Sequence, residues 1–459
     1  MLTKVLESIQ NKSPRRSVHN LVLWTGITFV LVAASTYFLS QTRPSIDYFT
    51  HRESKSGESS NPLLTNEGID QYILDHAYPR LGENINFAGL RKLCSSTKWQ
   101  PHVYFTCTHN LGGLMNVRNM VLNCVRYAIA AGASGLVLPQ IEARDPAALN
   151  HLKTGEYQDM SFLFDEVWFK KVMKENCEQM ELFDSMEDIS YSGYATMPDL
   201  INIQTLMGQP RGNRHGLLRN KKPWEFRTHF DEIIKSQKQK PAERSPVIVR
   251  LDDKTLFSFP PSFDSPALAN CFGFILEFRL GLTALANVIV DRVHRTSSIS
   301  GGNNQYVGLH LRSEKDAGKY WASWDELADT TISTASNNSI KFIYVASGDA
   351  EGVAKLVDKA EKAGIQVLDK WSILYDDEKE YLKPFRFDQQ AIVDYLALMR
   401  SDRFVGSGQS SFSSHLILRR EILANISLAK GEKAANTEGA PRDQLAGPGR
   451  LGYWDMDWA

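Results

Sequence analysis

Residues 103–139 read VYFTCTHNLGGLMNVRNMVLNCVRYAIAAGASGLVLP, and their pattern sets the fold class. Val103–Cys107 is a short apolar run, the mark of a buried strand. Thr108-His109-Asn110-Leu111-Gly112-Gly113 follows as a turn. Leu114, Val117, Val121, Val125 and Ala128 then share one face at helical spacing. Gly132 predicts the helix C-cap, and Gly135–Leu138 a second buried strand stopped by Pro139. This is one β-α-β unit, whose strands lie parallel in one sheet.

A second series begins near Gln305. Tyr306–Leu311, Phe342–Ala346, Ile365–Leu368 and Arg403–Val405 read as strands. Ala350–Ala363, Phe387–Arg400 and Ser411–Leu423 read as helices between or after them. Between the two series the pattern is less regular. Phe162–Met173 and Cys271–Val293 read as helices and Val247–Leu251 as a strand. The basic run Arg211–Lys222 reads as a solvated loop. Strands alternating with helices of this length imply parallel sheets with crossover helices. The expected architecture is α/β, with two Rossmann-like domains facing a cleft and joined near 290–305. No internal repeat is visible.

Lys and Arg number 52 against 53 Asp and Glu, which argues against bulk nucleic-acid binding, since that depends on a basic surface that displaces counterions; local basic clefts stay open. Leu21 to Leu39 carries no charge and is long enough to span a bilayer core. Lys4, Lys12, Arg15 and Arg16 precede it, which places the N-terminus in the cytosol and the body in the lumen. The alternative is a cleaved signal peptide, but the apolar run continues past the small residues Ala33-Ala34-Ser35. Polar residues 41–66 cannot bury a core and read as a flexible stem. The expected organisation is a cytosolic tail over 1–20, a transmembrane signal anchor over 21–39, and a stem and lead-in over 40–97. An N-terminal Rossmann-like, acceptor-side domain over 98–300 follows, then a C-terminal, donor-nucleotide domain over 301–430 and an irregular tail over 431–459. The aromatic end Tyr453–Trp458 is a candidate to dock back on the body.

Five cysteines, Cys94, Cys107, Cys124, Cys177 and Cys271, form no C-x-x-C pair, which argues against a zinc site. A lumenal chain with this odd number implies one or two disulfides and a free buried thiol. The sequons at Asn337 and Asn425 agree with a lumenal body.

In open parallel sheets ligands bind beyond the carboxyl ends of the strands, and three segments sit at such ends. Arg312 offers a planar fork that suits a phosphate; its alternative partner is Glu314 or Asp316. His310 shares its strand face and either donates to a ligand or is a satisfied structural histidine. Gly406-Ser407-Gly408-Gln409-Ser410-Ser411-Phe412-Ser413 runs from a strand into a helix whose free amides favour an anion; an ordinary serine N-cap is the alternative. It lacks the Lys of a P-loop. Asp349 either accepts from a nucleoside or caps the following helix. Gly112 and Gly113 either let a ligand approach the backbone or simply make a tight turn, with Asn116 one helical turn on. Asp455-Met456-Asp457 has metal-site spacing but no strand before it, and reads as chance.

Together these segments resemble the GDP-fucose protein O-fucosyltransferase-like family, in the broad group that includes fungal and plant-type relatives. The carriers are GGLMNVRNMVLNCVRYAIAAGASGLVLP (112–139), YVGLHLRSEKD (306–316), FIYVASGDAEGVAKL (342–356) and DYLALMRSDRFVGSGQSSFSSHLILRR (394–420). The resemblance implies a GT-B architecture and metal-independent, inverting transfer of fucose from the donor substrate GDP-fucose, with no cofactor, to a protein or glycan acceptor. It implies that Arg312 holds the β-phosphate, His310 lines the donor site and Asp349 contacts the nucleoside. Ser410, Ser411 and Phe412 would hold the diphosphate and base, while Gly112, Gly113 and the catalytic candidate Asn116 line the acceptor side. The sequence departs from the family pattern in three places. Met115 stands between Leu114 and Asn116. No Glu precedes the Gly-Gly turn, where His109, Asn110 and Leu111 stand, so the general base is unassigned and His109 is only a weak candidate. The acid of Ser347-Gly348-Asp349 comes one residue late. A transferase of another GDP-sugar, and a membrane-anchored binding protein that kept the fold without catalysis, are the competing readings.

Overall fold

The first β-α-β unit folds as its pattern dictates. In the computed structural model, strand β1 (Gln100–Thr108) leads through the Gly-Gly turn into helix Leu114–Ala131 and back into β2 (Ala133–Val137). Gly132 ends the helix at φ 66°, its N–H donating to the Ala128 and Ile129 carbonyls. That left-handed geometry is why glycine stands there. The structure describes residues 66–108, 110–145, 154–189, 195–196, 206–207, 218–238, 247–252, 257–314, 321–429, 443–447 and 458. The anchor over 21–39, the stem over 41–65, His109 and Asp455-Met456-Asp457 lie outside these residues. Among the described residues no helix is long and apolar enough to cross a membrane.

Two five-stranded sheets organise Asn61–Ala459, which forms one compact unit. The first runs β5-β2-β1-β8-β6, with β5 at Glu181–Phe183, β6 at Ala195–Thr196 and β8 at Val247–Asp252. The second runs β12-β11-β10-β13-β14, with β10 at Val307–His310, β11 at Phe342–Ala346, β12 at Gln366–Leu368, β13 at Arg403–Ser407 and β14 at Asp443–Ala446. Every pair in both sheets is parallel. Two short pairs, β3 (Ile141–Glu142) with β4 (Tyr157–Gln158) and β7 (Leu218–Arg219) with β9 (Phe257–Ser258), lie apart. In chain order the second sheet's own strands run 3-2-1-4-5, so the winding reverses between β10 and β13. That reversal opens a crevice at the strand ends.

Strand β10 divides its side chains between two cores. Val307, Leu309 and Leu311 enter a core with Val345, Leu356 and Val405. Tyr306 faces the larger core, which joins Phe105, Val121, Phe278, Tyr395 and Leu416. Period-two alternation therefore turns His310 and Arg312 toward the side of the sheet carrying helices Phe387–Met399 and Ser411–Ala429. Disulfides Cys94–Cys177 and Cys107–Cys124 leave Cys271 as a buried free thiol, in agreement with the expectation from cysteine count.

Several elements differ from the reading of the sequence. The single helix expected over 271–293 is two, Pro266–Phe272 and Leu280–Ile299. The break holds Phe278 in a bridge to Phe164 and buries Glu277 against Arg419. The helix expected from Phe162 begins at Glu166, where Asp165 caps the Trp168 amide. Helices Asn66–His76 and Ala88–Ser96 occupy part of the expected lead-in. Trp324–Asn337 adds an unexpected helix, and β14 an edge strand inside the tail expected to be irregular. Trp458 is fully buried against Phe272 at a ring separation of 4.7 Å, so this residue of the aromatic end docks on the body; 453–457 lie outside the described residues.

Candidate functional site

Parallel register brings the three segments to neighbouring strand ends. His310 pairs with Ala346 across β10 and β11, and Leu309 with Val405 across β10 and β13. The Leu311 N–H extends the ladder to the Ala346 carbonyl at 3.0 Å. Thus 310–314, 347–349 and 407–413 line one edge, at the point where strand order reverses.

His310 is the joint between two of these segments. Its Nδ1 hydrogen-bonds Ser413 Oγ at 2.8 Å, and its ring lies 4.4 Å from that of Phe412. Phe412 in turn meets Tyr395 edge-on at 5.3 Å. Burial pushes the His310 pKa down to about 4, with Glu314 opposing and Arg312 adding to the shift. The ring is therefore neutral near pH 7. Gly406 lets this arrangement close, since a Cβ there would sit 2.4 Å from Ser413 Oγ. Ser410 is buried and its N–H donates to the Ser407 carbonyl. Ser411 and Phe412 are half-buried at the start of their helix.

Arg312 pairs with Glu314, one of its anticipated acidic neighbours; the other, Asp316, lies outside the described residues. Its Nη1 donates to Glu314 Oε2 at 2.5 Å, with 21% of the Arg312 side chain exposed, and its guanidinium lies 5.1 Å from the centre of the Trp321 ring. The same Glu314 carboxylate accepts the Gly348 N–H at Oε1, 2.9 Å away. Asp349 acts as a helix cap: Oδ1 accepts the Gly352 N–H at 3.0 Å and Oδ2 accepts from Ser313 Oγ at 2.8 Å. The Gly352 amide bond, with Ser313, holds the Asp349 carboxyl below the usual range.

The Gly-Gly turn of the first sheet has room beside it. Gly112 adopts φ +121°, and Asn116 packs next to it, with Nδ2 3.7 Å from a Cβ built there. Among the described residues, nothing lies within 4 Å of the Cβ position of Gly113. The helix it precedes takes no side-chain cap from its N-cap Gly113, and its first amides are groups of the kind that suit an anion.

Sequence reasoning missed a buried polar brace behind the site. Arg118, fully buried in helix Leu114–Ala131, donates to the Trp458 carbonyl at 2.8 Å and to the Gly273 carbonyl, and its Nη1 lies 2.6 Å from His415 Nε2. His415 sits in the helix that begins at Ser411. Burial, then the Arg118 and Arg419 charges, hold its pKa far below the usual value. His415 Nε2 also lies 2.8 Å from the Trp458 carbonyl, and its Nδ1 lies 2.8 Å from the Tyr395 hydroxyl, so the neutral ring is held on both nitrogens. Arg419, also fully buried, pairs with Glu277 at 2.7 Å. The available signal was an arginine on a buried helix face, four residues before Leu122 and eight before Arg126.

Among the described residues no group of three or more His, Cys, Asp or Glu side chains could hold a metal ion.

Residues 104–326 match the family model described as GDP-fucose protein O-fucosyltransferase. No curated protein matches the chain. Among solved structures, POFUT1 in complex with GDP-fucose aligns at 14% identity over 77% of this chain and 99% of its own, with a TM-score of 0.41. The fucosyltransferase NodZ from Bradyrhizobium aligns at 15% identity over 70% and 93%, with a TM-score of 0.34. Arabidopsis thaliana FUT1 in complex with GDP aligns at 13% over 82% and 80%, with a TM-score of 0.31.

Proposed function

We propose that this glycosyltransferase, whose residues 104–326 form a GDP-fucose protein O-fucosyltransferase domain, moves fucose from GDP-fucose to a hydroxyl of a protein or glycan acceptor without a metal and with inversion. The observation that carries the reading is the convergence of His310, Phe412 and Ser413 at the crevice between β10 and β13. There the amides opening helix Ser411–Ala429 offer donors that suit an anion, and Arg312 stands just past the end of the neighbouring strand. A guanidinium and helix-start amides suit a diphosphate because they stabilise charge that grows as the sugar departs. Neutral His310 serves as a hydrogen-bonding and stacking partner rather than a second cation. Asp349 holds the 347–352 turn in shape beside the nucleoside. Gly112, Gly113 and Asn116 line the acceptor side, where the open flank of Gly113 admits a ligand close to backbone.

The body works in the lumen of the Golgi or endoplasmic reticulum, tethered as a single-pass type II protein by 21–39. The unbroken apolar stretch with cations before it supports that placement.

The Arg312–Glu314 pair favours one competing reading, a binding protein that kept the fold without turnover. Donor turnover separates the two. The full chain, purified in detergent, is incubated with GDP-fucose in EDTA and free GDP is measured. Steady GDP release that survives chelation supports the transferase; GDP binding without release supports the binding protein. A panel of GDP-sugars in thermal-shift assays then ranks the donors.

A further inference from the structure

Glu314 sits where the proposed function would place a phosphate. One carboxylate oxygen takes Arg312 Nη1 at 2.5 Å, and the other takes the Gly348 N–H at 2.9 Å. These two donors come from adjacent strand ends, and they are groups of the kind a diphosphate seeks. Gly348 makes the approach possible. A Cβ there would lie 3.1 Å from both Glu314 Oε1 and Phe387 Cε2, so a side chain would press the carboxylate off the amide. Asp349 accepts from both Ser313 and the Gly352 amide, so its carboxylate is committed to the turn, whereas that of Glu314 bridges Arg312 and the Gly348 amide.

We infer that Glu314 is an internal stand-in for the donor diphosphate, a positioning residue that holds Arg312 and the Gly348 amide in register and must be displaced for the donor to bind. This rests on the assignment of the β10/β13 crevice as the donor site. A diphosphate brought to Arg312 while Glu314 remains meets a like charge within a few ångströms, and that repulsion is strong where water is partly excluded. Displacement makes Glu314 a competitor for the nucleotide. It lowers affinity for any nucleoside diphosphate but not for the uncharged nucleoside, and it keeps the cation neutralised when the crevice holds no donor.

The test compares GDP and guanosine binding to the full chain in detergent by titration calorimetry, for wild type and Glu314→Gln. The amide keeps the size and removes the charge. GDP should bind the variant about three- to tenfold more tightly, the range expected for removing one competing charge from a partly exposed pair, while guanosine affinity stays the same. Should the variant melt early, Glu314→Asp withdraws the carboxylate by one methylene and is expected to shift GDP affinity in the same direction by less. Weaker or equal GDP binding in a folded variant overturns the inference and makes Glu314 a support that donor binding retains. If wild type and variant both ignore GDP, the donor-site assignment falls and the inference falls with it.

Discussion

Replacing Arg118 with methionine is expected to destabilise the protein by about 3–5 kcal/mol, although Arg118 lies at no strand end and lines no crevice. The figure follows from its partners. Arg118 satisfies two buried backbone carbonyls, those of Gly273 and Trp458, and the His415 ring. Methionine has nearly the right length and fills the slot, so the cavity cost is small. What remains is the buried Gly273 carbonyl stripped of its Arg118 donor, and the Trp458 carbonyl and His415 Nε2, 2.8 Å apart, left to each other, at roughly 1–3 kcal/mol for each bond lost, partly offset because a buried cation no longer needs desolvating. Glu277 also loses one of the positive charges that oppose its burial. Urea denaturation of the full chain in detergent, followed by tryptophan fluorescence, reads the midpoint shift, and buried Trp458 reports on the brace itself. Lys355→Met, which removes an exposed i,i+4 pair with Glu351, is the control and should leave the midpoint unchanged. A loss under about 1 kcal/mol for Arg118→Met, comparable to an ordinary surface change, would refute the reasoning. It would mean that the brace is satisfied some other way.

Three further outcomes follow from the same geometry. His310, held at about pKa 4 by burial, favours the fold as a neutral ring, so its contribution is full above its unfolded value and is lost as pH falls through about 4. Acid titration of wild type against His310→Gln should show wild type losing on the order of 3 kcal/mol more between pH 7 and pH 4; parallel curves would mean that the ring is not held neutral. Replacing both Cys107 and Cys124 with serine opens a 17-residue loop and should cost about 3 kcal/mol in chemical denaturation, with dithiothreitol then acting on the double variant only through Cys94–Cys177; an unchanged midpoint would mean that this bridge does not constrain the unfolded chain. Gly112→Ala places a side chain at φ +121° beside Asn116; an expected strain of about 1–3 kcal/mol should appear as a lower melting temperature, and an unchanged one would mean that the turn relaxes freely.

The parallel strands were legible because each is a short, nearly unbroken apolar run: VYFTC, GLVL, VIVRL, YVGLHL and FIYVA all lie in the observed sheets. The placement of His310, Arg312, Asp349 and Ser410–Ser413 at strand ends followed from that. Strand β14 was not legible. Its residues Asp443–Ala446 form an edge strand with only Ala446 buried, so no apolar run marks it. Helix Trp324–Asn337 is rich in Thr and Ser, which weakens its periodicity, yet it carried a readable start: Ser323 caps the Glu326 amide, a Ser-x-x-Glu spacing. The break at 276–279 was hidden because Glu277 looks like any surface glutamate until Arg419, 142 residues away, is placed beside it. Partner choice at Arg312 was equally beyond local pattern. The sequence offered Glu314, Asp316 or a phosphate, and all three fit a guanidinium.

The account turns on Arg312 serving the donor rather than the fold. Its ion pair with Glu314 is partly exposed and worth at most about 1 kcal/mol to stability, whereas a charge-assisted grip on a diphosphate is worth about 2 kcal/mol or more, some thirtyfold in affinity. Calorimetric titration of GDP into wild type and Arg312→Ala, in EDTA with melting temperatures recorded alongside, separates the two. The account predicts a variant that melts within a few degrees of wild type and binds GDP at least about thirtyfold more weakly. Equal GDP affinity in the folded variant would contradict it.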